Sequence, residues 1–140
     1  MNILLAVDGS TYTKKMLAYL ATHLDVFHAD NAFTVFTVQA PLPPRARAAV
    51  GAEAVNDYYA EESEKVTAPV VKFLLRHGIA PKVIQKVGMP GELIAKQAIA
   101  GKHDLVMMGS HGHGALGNLV MGSVATKVLA HCDAPVLLVR

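Results

Sequence analysis

One cysteine, Cys132, stands in the whole chain, so no disulfide can form within it, and a reducing compartment, the cytoplasm, is the expected setting. Long apolar runs are missing too, since no stretch approaches the roughly 18 residues that a membrane span requires. The apolar start, residues 1–7, has no basic leader and is interrupted by Asp8, which argues against a secretory signal. Charge of one sign is also scarce. Thirteen Lys and Arg oppose eleven Asp and Glu, a net +2, and the basic residues are scattered rather than gathered in a stripe. Nucleic acid and membrane are therefore excluded as expected partners. No linker or internal repeat divides the chain.

What is present is mostly apolar: 52% of the 140 residues are hydrophobic and only 17% charged. That is enough core for one globular domain over residues 1–140, and it excludes disorder. Ile3, Leu4, Leu5, Ala6 and Val7 form a short continuous apolar run closed by Asp8, Gly9 and Ser10, the pattern of a strand buried on both faces and followed by a loop. The period then changes. Met16, Leu17, Leu20 and Leu24 fall at helical spacing, which predicts a helix over 12–24 with Ser10 or Thr11 as cap.

The same alternation continues along the chain. A second strand is expected over 33–38, and Pro41, Pro43 and Pro44 mark a surface excursion that should neither continue a strand nor open a helix cleanly. A long helix is predicted over 52–76, with Pro69 kinking or dividing it and Gly78 at its end. Strands over 82–87 and 104–108, a helix after Pro90, a helix over 119–131 and a last strand over 136–139 complete the pattern. Five apolar strands alternating with four helices imply an α/β fold, an open parallel sheet with helices on both faces.

Ligands of such sheets bind outside the carboxyl ends of the strands, where strand order reverses. Two loops there have suitable composition: Asp8, Gly9 and Ser10 after the first strand, and residues 109–118 after the fourth. Counting Gly122, the second region holds five of the eleven glycines. Glycine loses the most entropy on ordering, so this density needs a cause, and close backbone approach to a phosphate is one. Gly122 and Ser123 open the last helix and would add its unpaired amides and positive dipole end. Together they describe a phosphate cradle; ordinary turns are the alternative explanation, and Asp8 could also cap the first helix, a role compatible with binding. Gly112, Gly114 and Gly117 satisfy a dinucleotide-type pattern, but no acid ends the next strand, so NAD is excluded. No lysine precedes Ser123 as a P-loop requires. His111 and His113 flank Gly112 without a third metal ligand at useful spacing. The remaining histidines fall near helix ends or loops, where exposed or carbonyl-bonded roles are commonest.

Gly109-x-x-Gly112, nine residues, then Gly122-Ser123 is similar to the G-x2-G-x9-G-[ST] signature of the ATP-binding universal stress proteins. The resemblance extends to the opening through Ser10, to residues 104–112, to Gly122 through Ala125 and to the ending Ala134 through Val139. It implies a Rossmann-like sheet of the adenine nucleotide alpha hydrolase-like type, with strand order 3-2-1-4-5. It also implies the site. Asp8 would meet ribose or adenine, Val38 would contact the base, and Gly109, Gly112, Gly122 and Ser123 would line ribose and phosphates, with Val124 adding an amide. Ala6, Val7, Met108 and His111 are taken with them as neighbours in the same segments.

The cofactor expected from the resemblance is ATP, with Mg²⁺ in place of a P-loop lysine, and the protein would be a nucleotide-responsive stress or regulatory module. A slow ATP hydrolase is the enzyme alternative, with His111, His113 and Lys127 as candidates by position alone. An interaction protein indifferent to nucleotide is the other alternative. In strand order 3-2-1-4-5 the last strand is an apolar edge, which predicts a homodimer joined along it, as the family also suggests.

Overall fold

The computed structural model describes residues 1–114 and 120–140. In chain order its elements are β1 (Asn2–Ala6), α1 (Thr11–Thr22), β2 (Ala32–Gln39), α2 (Pro44–Val50), α3 (Ala52–Arg76), β3 (Lys82–Val87), α4 (Pro90–Ala100), β4 (Leu105–Gly109), α5 (Ser123–His131) and β5 (Val136–Val139). The strands form one sheet in the order β3-β2-β1-β4-β5, and every pairing is parallel.

β1 lies at the centre, with Leu5 opposite Val35 on one side and Met107 on the other. Ile3, Leu4 and Leu5 are fully buried, which explains why β1 reads as a continuous apolar run: both faces are covered, so no polar residue alternates in. On one face Ile3 and Leu5 pack with Met16, Leu17 and Leu20 of α1 and Val70 and Leu74 of α3. On the other, Leu4 and Ala6 pack with Ile94 and Ala98 of α4 and Ala125 and Val128 of α5. Each of the larger side chains among them contributes about 1.5–3 kcal/mol by leaving water, so the core on both faces holds the strand ends in place.

Local sequence sets the element ends. Ser10 is the N-cap of α1 and accepts from the Thr13 amide. α3 ends in Gly78 at φ +76, with Gly78 N–H bonded to Leu75 O and Ile79 N–H to Leu74 O, the paired bonds of a glycine-terminated helix.

Three expectations are corrected. Pro44 does open a helix: it occupies the first turn of α2, where its missing N–H has no bond to lose. The helices with described bounds are therefore five rather than four. Pro69 does not divide α3, which runs unbroken from Ala52 to Arg76, because Val66, Val70, Phe73 and Leu74 on either side of it pack into the core with Ile3 and Leu5 of β1. The last helix begins at Ser123; the predicted start at Leu119, like Gly117 of the glycine run, lies outside the described residues.

Candidate functional site

The strand order reverses between β1 and β4, so their carboxyl ends open a crevice. Asp8 leaves β1 at its edge. Its Oδ1 accepts from the Ser10 N–H at 2.9 Å and the Thr13 hydroxyl at 3.0 Å, and its own N–H donates to Thr13 Oγ1 at 3.1 Å. One carboxylate oxygen is thus tied to the start of α1, while Ser10 performs the capping. The other oxygen faces Gly112, where an added Cβ would stand 2.7 Å from Oδ2.

The segment after β4 is held as tightly. Gly109 lies against Tyr12, where a Cβ would come within 2.5 Å of the Tyr12 Cβ. Ser110 is buried, donates its N–H to Val139 O at 2.8 Å, and has its hydroxyl 2.8 Å from His111 Nδ1. The His111 ring packs 4.9 Å from the Tyr12 ring. His113 Nε2 reaches the Asp8 carbonyl oxygen at 2.8 Å; a carbonyl only accepts, so this nitrogen carries the proton.

Gly122 completes the crevice. Its N–H donates to Ser110 O at 2.8 Å, and a Cβ there would stand 3.1 Å from both His111 Cα and Ser110 O. As the N-cap of α5 it offers no side chain to the first-turn amides, and that turn carries no acid. The first helical bond is Thr126 N–H to Gly122 O, so the amides of Ser123, Val124 and Ala125 have no helical acceptor. An anion is the natural complement of that helix end.

A cavity of about 540 Å³ joins these elements, within the range of small-molecule sites. Ala6, Val7, Asp8, Val38, Gly109, His111, Gly112, Gly122, Ser123 and Val124 all line it. Met108 does not: it is buried at 5% exposure in the core beneath, with Phe36 and Ile94. Lys127 is also elsewhere, its stem over Gly91 and its Nζ 3.6 Å from Glu92 on α4. Residues that sequence reasoning left out of the site include Thr13, Phe36, Ala40 and Ile94; His113, named only as a hydrolase candidate by position, lines it too. Thr13 carries a legible signal, a hydroxyl one turn from Asp8, whereas Phe36 and Ile94 are apolar residues like any in the core. Among the described lining residues there is no Lys or Arg, and among the described residues no three metal-ligating side chains converge. A second hollow, about 670 Å³, lies between α3 and β3, away from the carboxyl ends of β1 and β4.

The chain is matched over residues 1–140 by the model of the Universal stress protein family. A universal stress protein of Thermus aquaticus, from the QAH/OAS sulfhydrylase 3′ region, is 34% identical over 140 residues, 99% of this chain and 98% of that one. Universal stress protein UspA from Lactobacillus plantarum superposes with a TM-score of 0.80 at 20% identity, over 100% of this chain and 97% of its own. The universal stress protein from Archaeoglobus fulgidus in complex with dAMP superposes at 0.68 and 20% identity, over 100% and 98%. Among the described residues no helix is long and apolar enough to cross a membrane.

Proposed function

The chain belongs to the universal stress protein family, and on that footing we propose that it binds an adenine nucleotide, ATP with Mg²⁺ foremost, in the crevice between β1 and β4. The observation that carries this reading is the pairing of opposite chemistries within one cavity. Val38, Phe36 and Ile94 offer apolar wall to a flat base, and the Asp8 carboxylate offers an acceptor to ribose hydroxyls or an exocyclic amine. Ser123 and the uncapped amides of α5 offer donors to phosphate. The glycines support it as well: side chains at Gly112 or Gly122 would intrude on Asp8 or on the backbone of Ser110 and His111.

The Archaeoglobus relative in complex with dAMP supports the adenine nucleotide class. Mg²⁺ enters because no Lys or Arg lines the described cavity, so a triphosphate would need a cation carried in with it. Bound ATP would supply an occupancy signal, passed to a second copy of the chain along β5, and the protein would act as a nucleotide-responsive stress module.

Calorimetric titration of nucleotide-stripped protein with Mg-ATP, beside AMP, tests the reading. Saturation near one site per chain is expected, weakened about tenfold or more by Gly122→Val, which pushes the α5 start away from Ser110. A folded chain that takes up neither nucleotide would overturn it.

A further inference from the structure

β3 forms one edge of the sheet, paired among the described residues only to β2. The Gly88 N–H bonds back to Gln39 O. Backbone groups alternate sides along a strand, so Val83, Gln85 and Val87 turn theirs outward, to the open edge. The side chains alternate as well. Gln85 reaches α3, with its Nε2 3.1 Å from Thr67 Oγ1, which puts Val83 and Val87 on the α3 face. Ile84 packs into the opposite core, which puts Lys82 and Lys86 on that second face.

Beside this edge runs the hollow of about 670 Å³, lined by Thr67, Val71, Lys72, Leu75, Arg76 and Val83, with Glu64 at one end. Val83, Val87 and Leu75 are exposed at 39%, 42% and 56%. Among the described residues Lys72, Arg76, Lys82 and Lys86 form no ion pair. An open row of amides and carbonyls, an apolar trough on one side and unpaired cations at strand spacing on the other therefore occur together.

We propose that the β3 edge and its groove dock an extended acidic segment of a partner protein, added to the sheet as a further strand. The segment alternates apolar and carboxylate side chains. Its apolar positions lie in the groove toward α3, and its acids lie across from Lys82 and Lys86, the favourable cross-strand arrangement. Charge selects this occupant over a second copy of the chain, since β3 paired with β3 would set lysines against lysines.

The probe is a fluorescein-labelled decapeptide alternating Val and Glu, titrated with the full chain and followed by anisotropy. Saturable binding is expected, with a blocked peptide of the same composition much weaker. Lys82→Glu/Lys86→Glu should weaken the Val–Glu peptide about tenfold and bring in an alternating Val–Lys peptide instead. Val87→Pro, which removes an outward amide and leaves the β2 ladder intact, should weaken both. Should Val87→Pro fail to fold, the charge exchange decides alone. Equal binding of the blocked peptide, or indifference to charge reversal, would overturn the proposal. So would light scattering showing that the β3 substitutions change the oligomeric state instead of peptide binding.

Discussion

Gly112 lies so close to Asp8 that a Cβ on the glycine would stand 2.7 Å from the second carboxylate oxygen, Oδ2. The two loops are joined a second time by His113 Nε2 on the Asp8 carbonyl, 105 positions away in sequence. The carboxylate cannot swing aside freely, because Oδ1 is held by Ser10 and Thr13. Gly112→Ala must therefore either break those bonds or push back the segment after β4. The expected outcome is a loss of about 1–2 kcal/mol in stability and about tenfold in nucleotide affinity. Denaturant midpoints and calorimetry read the two separately, and unchanged affinity would remove Asp8 from the nucleotide contact.

Gly109 and Gly114 separate two uses of glycine. At Gly109 a Cβ meets the Cβ of Tyr12 at 2.5 Å and its backbone carbon at 3.1 Å, so Gly109→Ala must displace the start of α1, at about 1–3 kcal/mol. Gly114 has φ +72 and, among the described residues, no atom within 4 Å of an added Cβ, so against these Gly114→Ala should cost only the left-handed backbone preference, about 1–2 kcal/mol. A melting comparison should show Gly109→Ala carrying in addition a change in near-ultraviolet signal from Tyr12; Gly114→Ala should leave that signal unchanged.

His103 is a titratable group buried inside the fold. It is 8% exposed and its Nδ1 has no partner among the described residues. Burial lowers its pKa from the ordinary 6.5, nearby Lys82 adds to this, and Asp104 opposes it. The folded state thus binds fewer protons than the unfolded one. Its contribution is present in full above 6.5 and is lost as pH falls from there toward the lower folded value. Urea midpoints should drop between about pH 7.5 and about pH 5.5, and His103→Gln should flatten that slope; an equal slope in the variant would place the proton elsewhere.

β5 is the other open edge. Val106 N–H bonds to Pro135 O and Ser110 N–H to Val139 O, so Val136 and Leu138 turn their backbone groups outward. A homodimer paired along β5 should be converted to monomer by Leu138→Pro, which removes one outward amide while sparing the β4 side. Light scattering after size exclusion reads the mass; a wild-type monomer at micromolar concentration would dismiss the pairing.

Much of this was legible locally. The β1 run, the cap at Ser10 or Thr11 and the glycine end of α3 depend on neighbours in the chain and were read from residue type and period, whereas the Gly109, Gly112, Gly122 spacing took its meaning from the family resemblance. α2 was not, because three prolines suggested an excursion and a helix that begins on proline differs from one only by its later residues. Met108 was placed in the site since it precedes Gly109. Whether it points to the crevice or the core cannot be read from a strand that is apolar at every position.

The residue order alone therefore determined the five strands, four of the five described helices, and which loops carry glycine and carboxylate, because these follow from short-range sterics and periodicity. Only tertiary structure decided that His113 reaches Asp8, that Lys127 turns to Glu92 instead of the cavity, that His103 is buried, and that β3 leaves its valines and lysines on an open edge. Each of these depends on which surfaces meet when the sheet closes, and contacts between distant segments leave no period in the sequence.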